Sequence, residues 1–193
     1  PATLTGNPAF AAEVTGDLRV NLQGASLETL SGPFDVTLRE TRVGERQIER
    51  LAVDGSFASG RVTFSLAGAL PGAALQAEGR ARPFDAVPTV QVAGMAQDVD
   101  LGVLLPGSGR TDAFAGEFAV VGRGATLDTF TGTVALDLSR AEIGLPDRRL
   151  AFSNARVDAD VEGGILDFDA DLTLAGDTGR IEALGTLALG PPL

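Results

Sequence analysis

Apolar and polar residues alternate with a period of two along most of the chain. In residues 166–174 every second position is apolar, from Leu166 to Leu174, and Asp or Thr occupies the positions between them. A period of two sends successive side chains to opposite faces of a β-strand, so this pattern indicates strands with one apolar face and one solvated face. Gly and Pro recur at short intervals between these segments, which is typical of turns.

The alternation predicts a series of strands along the whole chain. They fall at about residues 10–22, 33–41, 48–57, 61–68, 73–81, 89–97, 113–123, 131–139, 149–161, 165–174 and 180–189. No window shows a comparable apolar stripe of helical period. The segment DVDLGVLLPG at 98–107 interrupts the alternation and is predicted to form a short helical turn or an apolar loop. Strands that are apolar on one face only favour an antiparallel sheet, so the expected fold class is all-β.

Two segments of the chain resemble each other at an offset of one hundred positions. Residues 16–44 align with 116–144 without a gap, and the identical pairs include Gly16/Gly116, Ala25/Ala125 and Leu38/Leu138. The match resumes at an offset of 104 in residues 53–64 and 157–168. A long fixed period is typical of stacked units that each bury apolar surface against a neighbour. We therefore interpret residues 1–15 as the tail of a preceding repeat, 16–115 as the first repeat and 116–193 as a second, truncated repeat of one continuous β-array.

The number of strands limits the possible architectures. A dozen sequential strands would form a sheet roughly 55 Å wide, because neighbouring strands lie about 4.8 Å apart. Such a sheet can close into a barrel, fold into a sandwich, or curl into a trough with a partly open face. Only a trough extends indefinitely when repeats are added. We therefore expect a long, curled, mainly antiparallel sheet that forms a trough (a β-taco) with an apolar concave face, built from repeats of about one hundred residues.

Composition excludes several classes of function. The 193-residue chain has a formal net charge of −11 and contains no Cys, His, Trp, Tyr or Lys. Without Cys or His it lacks the usual thiol nucleophiles, imidazole bases and soft metal ligands, so we expect neither an enzyme nor a cofactor. Its acidity argues against binding to nucleic acid and against docking on an anionic membrane surface. No apolar run reaches the roughly 18 residues of a membrane span.

The apolar positions of the predicted strands are the main candidate site. They could form an ordinary dry core, or they could line an accessible groove. Because the set is aliphatic or Phe, without Trp or Tyr, a groove of this kind would bind acyl chains or unfolded apolar segments without chemical discrimination. The candidate groove-lining residues are Leu18, Val20, Phe34, Val36, Leu38, Val53, Val62, Phe64, Leu66, Phe118, Val120, Val134, Leu136, Leu138, Val157, Leu166, Phe168, Leu172 and Leu174, with Phe57 and Val161 in the same stripe.

The polar positions offer weaker candidates. An acidic ladder comprises Asp158, Asp160, Glu162, Asp167, Asp169 and Asp171. Carboxylates are calcium ligands, but no calcium-loop spacing is present, and residues two apart on a strand lie nearly 7 Å from each other, so a solvated outer face is the favoured interpretation. A phosphate loop is disfavoured because GSGRTD at 107–112 lacks the full Gly pattern.

Arginines recur after the third strand region of each copy. The set is Arg42, Arg46, Arg50, Arg140, Arg148 and Arg149. Pairing with nearby Asp and Glu is the simpler interpretation, and contact with a lipid headgroup at the rim of a groove is the alternative.

Four elements of the sequence together resemble the periplasmic repeats of the TamB and AsmA-like proteins of bacteria with two membranes. They are GDLRVNL at 16–22, LSGPFDVTL at 30–38, VDGSFASGRVTFSLAG at 53–68 and DVDLGVLL at 98–105. The resemblance spans essentially the whole chain. It implies a periplasmic β-trough that is anchored in the inner membrane outside this segment and reaches toward the outer membrane. It further implies a role in moving phospholipid or in assembling outer-membrane β-proteins, together with an outer-membrane β-barrel partner.

Three functions follow as hypotheses. The first is a segment of a periplasm-spanning hydrophobic β-groove that carries phospholipid acyl chains between the inner and outer membranes. The second is a chaperone-like β-template whose strand edges assist the assembly of outer-membrane proteins or autotransporters. The third, a cell-surface β-repeat adhesin, ranks last because the repeats of such solenoids are usually only about 20–30 residues long.

Overall fold

The computed structural model describes residues 12–26, 28–43, 46–70, 73–100, 113–144, 149–176 and 179–188. These residues form eleven strands in one sheet. The strands are β1 (Ala12–Val20), β2 (Ser31–Val43), β3 (Arg46–Ala58), β4 (Arg61–Leu70), β5 (Ala73–Arg82), β6 (Thr89–Asp100), β7 (Ala113–Arg123), β8 (Thr131–Gly144), β9 (Arg149–Glu162), β10 (Ile165–Leu174) and β11 (Arg180–Ala188). Within the described ranges, the helical structure amounts to one 3-10 turn at Leu127–Thr129.

Each strand pairs with the next strand along the chain, and every pair is antiparallel. The all-β, antiparallel part of the expected fold is therefore confirmed. The sheet is open, since β1 and β11 do not pair with each other, and it is at most weakly curled. The deeper trough, its concave apolar face and the hundred-residue repeat stay predictions.

The described strands form a single layer. The chain exposes 12742 Å² to solvent. A compact protein of 19.7 kDa would expose about 8600 Å² by the usual scaling of surface with mass. Buried side chains are correspondingly few among the described residues, and most of them lie on β6, β8, β9 and β10, where Ala155 is 1% exposed and Phe152 is 4% exposed.

Two of the hairpins use two-residue turns with left-handed backbone. Ser59 and Gly60 connect β3 to β4 with φ angles of 50° and 74°, and Gly163 and Gly164 connect β9 to β10 with 59° and 78°. Positive φ at both central positions matches the right-handed twist of the flanking strands, and glycine adopts it without steric cost. These tight turns fix the register of both hairpins.

The longer loops before β2 and β8 come from the repeated sequence and share one internal hydrogen-bond pattern. The Thr29 hydroxyl accepts from the Ser26 N–H at 3.0 Å and donates to the Ser26 carbonyl at 3.1 Å. The Thr129 hydroxyl accepts from the Thr126 N–H at 3.1 Å and donates to the Thr126 carbonyl at 3.2 Å. The repeated sequences GASLET at 24–29 and GATLDT at 124–129 therefore encode the same local turn.

The end of β6 differs from the sequence-based expectation. A helical turn or loop was expected from residue 98, but β6 continues to Asp100, so the expectation is wrong for residues 98–100. The register shifts between Ala96 and Val99, and Asp98 has a φ of 52°. A β-bulge of this kind inserts an extra residue into one strand, so it breaks the period-two pattern without ending the strand. The remainder of that segment, 101–107, and the GSGRTD sequence at 107–112 lie outside the described residues.

Candidate apolar binding face

The register of the sheet brings the apolar positions of all strands into continuous cross-strand rows. Residues directly opposite each other in paired strands point to the same face of a sheet. The row through Phe64 contains only apolar residues and glycine: Val20, Phe34, Gly55, Phe64, Gly79, Val92, Val120, Val134, Ala159, Phe168 and Gly185. We refer to the side of the sheet that carries this row as the apolar face.

Three neighbouring rows on the same face have the same composition. The row through Leu66 comprises Leu18, Val36, Val53, Leu66, Ala77, Gly94, Phe118, Leu136, Val157, Ala170 and Ala183. The row through Leu51 comprises Gly16, Leu38, Leu51, Gly68, Leu75, Ala96, Gly116, Leu138, Ala155, Leu172 and Ile181. The row through Val62 runs from β2 to β11 and comprises Gly32, Phe57, Val62, Ala81, Val90, Gly122, Gly132, Val161, Leu166 and Leu187.

The structure places the candidate groove-lining residues together in these rows. Eighteen of the nineteen lie in the four rows, from Leu18 on β1 to Leu172 on β10. The last one, Leu174, follows a register irregularity and pairs with Phe152. A single surface therefore collects side chains that are far apart in sequence. Binding of a ligand to this surface stays a prediction.

Sequence reasoning assigned no lining residues to β5 and β6, although both strands were expected. Leu75 and Ala77 on β5, and Val90 and Val92 on β6, occupy the apolar face. The signal was present in the alternation of these strands. It was weak because most β5 members of the face are Ala or Gly, which are as common on solvated surfaces as on buried ones.

Phenylalanine and glycine pair across neighbouring strands on the apolar face. Phe34 lies opposite Gly55, Phe64 opposite Gly79, and Phe168 opposite Gly185. In each pair the ring lies over the glycine, so that an added methyl group would overlap the ring. The absence of a side chain at the glycine lets the ring lie down along the sheet. At these three positions the face therefore carries a ring that lies along the sheet.

Exposure on the apolar face is lowest on the inner strands and increases toward the edge strands, as β1 shows. On β9, Val161 is 4% exposed and Ala155 is 1% exposed, whereas Leu18 and Val20 on β1 are 68% and 51% exposed. Val120, which matches Val20 in the sequence repeat, is only partly exposed between two neighbouring strands. The inner part of the face is shielded mainly by its own side chains, because no second layer of described residues covers it.

The opposite side, the polar face, carries the charged residues. Arg39 pairs with Asp17 at 3.1 Å, and Arg140 pairs with Glu142 at 3.0 Å. Three of these side chains are largely exposed and Glu142 is partly exposed, so the pairs add little to stability and serve mainly to keep the face solvated. The Arg140 contact agrees with the simpler interpretation of the arginine set. Arg50 is exposed, and nothing is described for the side chains of the other four.

The acidic ladder lies on the polar face of β9 and β10. Asp158 lies opposite Asp169, and Asp160 lies opposite Asp167. Several members are engaged by other side chains, since Arg156 donates to Asp158 at 2.9 Å and Thr186 donates to Asp167 at 2.6 Å. Over the described ranges there is no group of three or more acidic residues placed to hold a metal ion.

Cross-strand neighbours change the pKa of two carboxyl groups. Asp35 lies opposite Asp54, and a hydrogen bond between the two carboxyl groups is the main cause that raises the pKa of Asp54. At the far edge, hydrogen bonds from the Arg180 guanidinium lower the pKa of Asp171. The polar face thus contains a like-charge pair of directly opposite residues and an oppositely charged pair of diagonal neighbours, since Arg180 lies opposite Thr173.

Shallow depressions also lie on the polar face. One, of about 730 Å³, lies over Ala67, Ala93, Ala119 and Ala135 and is flanked by acidic side chains. A second, of about 600 Å³, is lined by Arg61, Arg80, Arg82 and Arg123. Both arise where small or short residues in the middle of a row lie between long charged side chains. Neither depression was expected from the sequence, because it depends on which residues the register places side by side.

Comparison of the chain with protein-family models, curated proteins and solved structures gave no match. Among the residues that the structure describes, no helix has the length and apolar character needed to cross a membrane.

Proposed function

We propose that the chain is a segment of a periplasmic hydrophobic β-conduit, whose apolar face carries phospholipid acyl chains between the inner and outer membranes. The observation that supports this proposal best is the set of unbroken apolar rows. Four neighbouring rows without a single polar side chain cross ten or eleven strands of a one-layer sheet. In this proposal the chain belongs to the periplasmic part of a protein that is anchored in the inner membrane.

The size of the apolar face supports a ligand rather than incidental exposure. Eleven strands about 4.8 Å apart and four rows about 6.8 Å apart cover roughly 1000 Å². The largest apolar patch on a typical monomeric protein is about 300–600 Å² and is often functional. A face of this size requires an apolar partner, and an acyl chain meets that requirement over the whole length of the sheet.

The energetics favour sliding of lipid over tight binding. Each CH₂ group of an acyl chain that is exposed to water costs about 0.8 kcal/mol, so a long chain would cost more than 10 kcal/mol. The apolar face would remove most of that cost without adding specific polar contacts, because its side chains are aliphatic, Phe or Gly. A surface with one uniform apolar character has no deep local minimum that would trap the lipid.

A second candidate function rests on the edge of the sheet. β11 pairs with β10 and with no other strand among the described residues. Unpaired strand edges add segments of other polypeptides by β-augmentation. A β-template that assists outer-membrane proteins would use this edge, whereas a lipid conduit would use the apolar face.

Adjacent residues with opposite orientation test the conduit directly. Phe64 lies on the apolar face, and its neighbour Ser65 lies on the polar face of the same strand. We expect Phe64→Asp to abolish the phospholipid that co-purifies with the chain, as measured by native mass spectrometry after expression in a two-membrane bacterium. Phe168→Asp and Leu138→Asp should have the same effect from β10 and β8.

The matched control is Ser65→Asp, which introduces the same charge on the polar face and should leave the bound lipid unchanged. The circular dichroism spectrum of each variant is used to check that the variant retains its sheet. Folded Phe64→Asp protein with an undiminished lipid complement would contradict the proposal. Equal loss of lipid from Phe64→Asp and Ser65→Asp would also contradict it, because net charge would then explain the result.

A further inference from the structure

The polar face ends in a cross-strand row of arginine and threonine side chains. The row consists of strand-terminal residues, namely Arg61 on β4, Arg82 on β5, Thr89 on β6, Arg123 on β7 and Thr131 on β8. Thr89 lies directly opposite both Arg82 and Arg123. Arg61 lies beside Arg82, because the next residues inward, Val62 and Ala81, are paired. All five side chains are exposed, and we refer to them as the arginine row.

The arginine row concentrates positive charge in an acidic chain. The chain has 26 acidic and 15 basic residues, yet the row contains no carboxylate before Glu162, which lies opposite Thr131 on β9. Asp85 approaches Arg82 only to 3.8 Å. Among the described residues, Arg61 and Arg123 have no ion-pair partner. Like charges side by side in a strand pair are unfavourable, so a bound anion would offset repulsion within the row.

The next row inward adds a fourth cation, and its side chain is held in place. The Arg80 Nε–H donates to the Gln91 side-chain oxygen at 2.7 Å. This bond occupies Nε and leaves the two Nη groups to donate to other acceptors. Arg80 and the arginine row line the same depression of about 600 Å³. The depression is therefore surrounded by guanidinium and hydroxyl donors.

Pairing of the strands does not require these arginines. β10 and β11 pair in the same register, relative to their Phe–Gly contact, as β4 and β5. At the positions of Arg61 and Arg82, this second strand pair has Ile165 and Ala188, which lie opposite each other. An uncharged pair therefore forms the same structure. The arginines add charge that the sheet itself does not need.

We propose that the arginine row and Arg80 form a binding site for a phosphate group. The phosphate lies over Thr89, between Arg82 and Arg123, whose Cα atoms are two strand spacings or about 10 Å apart. Guanidinium groups match phosphate oxygens with paired, charge-assisted hydrogen bonds. A lipid headgroup or a soluble molecule supplies the phosphate. The site lies on the polar face and does not depend on the conduit proposed above.

Titration of the full chain with three probes tests the site. The probes are inorganic phosphate, glycerol phosphate and monomeric dihexanoyl phosphatidic acid, each followed by its phosphorus NMR signal. An ionic strength of about 0.15 M shortens the Debye length to about 8 Å, so that distant carboxylates repel the probes little. We expect Arg82→Gln and Arg123→Gln each to weaken the binding of every probe about tenfold, because each variant removes charge-assisted donors.

Arg39→Gln is the matched control. It removes the same charge from the polar face, but Arg39 lies on β2 and is already paired with Asp17 at 3.1 Å. We expect it to bind all three probes with wild-type affinity. Thermal denaturation provides a second measurement, since a ligand that binds the folded chain raises its midpoint. Inorganic phosphate should raise the midpoint of the wild type and of Arg39→Gln more than that of Arg123→Gln.

The relative affinities of the probes identify the source of the phosphate. Tighter binding of phosphatidic acid than of glycerol phosphate would assign a lipid headgroup. Equal or weaker binding of phosphatidic acid would assign a soluble phosphate compound. Both results support the site.

Three results would overturn the proposal. They are no binding of any probe, wild-type affinity in both Arg82→Gln and Arg123→Gln, and equal weakening by Arg39→Gln and Arg123→Gln. Glycerol phosphate has no acyl chain, and Phe64→Asp changes the opposite face of the sheet. Failure of the phosphate site would therefore leave the conduit untouched, and failure of the conduit would leave glycerol phosphate binding unchanged.

Discussion

The Phe64 ring lies directly over Gly79 on the adjacent strand, where any side chain would displace it. A Cβ atom at Gly79 would lie 2.5 Å from Phe64 Cζ and 2.9 Å from the Gln91 carbonyl oxygen. The glycine is therefore required by the packing of the apolar face. The same relationship recurs on the same face between Phe34 and Gly55, nearer β1, and between Phe168 and Gly185, nearer β11.

Replacing this glycine should destabilise the sheet. We expect Gly79→Ala to lower the free energy of unfolding by about 1–3 kcal/mol, because the methyl group forces the ring out of its position and overpacks a tight contact. Urea denaturation followed by circular dichroism measures the change. Gly68→Ala is the matched control, since the closest contact of its methyl group would be the flexible tip of Leu51, at 3.3 Å, and its other contacts would be ordinary ones at 3.9 Å, so it should have little effect. A loss of stability at Gly68 as large as that at Gly79 would contradict this account.

A substitution in the turn between β3 and β4 should increase the stability of the chain. Ser59 adopts a φ of 50°, which is unfavourable for most residues but well tolerated by asparagine, and Gly60 follows it. We expect Ser59→Asn to raise the free energy of unfolding by roughly 0.5 kcal/mol. Ser59→Val should lower it, because a β-branched residue is strained at positive φ. An equal response to Asn and Val in thermal denaturation would show that the turn is not left-handed.

Asp54 should make stability depend on pH in a defined direction. Its pKa is raised in the folded chain, chiefly by the hydrogen bond with Asp35. A carboxyl group whose folded pKa exceeds its unfolded value contributes stability that is fully present below the unfolded pKa, about 3.9, and is lost as pH rises through the folded pKa. We expect Asp54→Asn to raise the denaturation midpoint at neutral pH relative to wild type.

The matched variant for this prediction is Asp169→Asn, which removes a carboxylate from the same cross-strand row. It should not reproduce the pH dependence that Asp54 confers in the window above its unfolded pKa. A wild-type midpoint that stays flat through this window, or a variant at Asp54 that keeps the wild-type slope, would contradict the prediction.

Most of the fold could be predicted from the sequence because one pattern, the alternation of apolar and polar residues, determines it. A period of two fixes which side chains share a face, and Gly at turn positions fixes where strands end, so all eleven strands could be placed to within a few residues. The signal fails where the backbone departs from regular pairing. At Asp98 a bulge shifts the alternation, and the sequence looked like a loop although the strand continues.

The apolar face was only partly accessible for a related reason. Large apolar residues such as Phe64 and Leu138 indicate a buried face. Ala77 and Gly94 do not, although the register places these two small residues in the row of Leu66. The pairing of Phe64 with Gly79, and the depression over Ala93, depend on cross-strand register. No pattern along a single strand contains that information.

The most direct test of the central claim asks which face of the sheet meets an acyl chain. Val92 and Ala93 are neighbours on β6 that lie on the apolar and the polar face, respectively. Because the chain has no cysteine, Val92→Cys and Ala93→Cys can each carry a single fluorophore, and a phospholipid with a nitroxide in its acyl chain serves as quencher. The account predicts strong quenching at Val92 and little at Ala93 when the labelled lipid is added. Equal quenching at the two positions, or stronger quenching at Ala93, would contradict it.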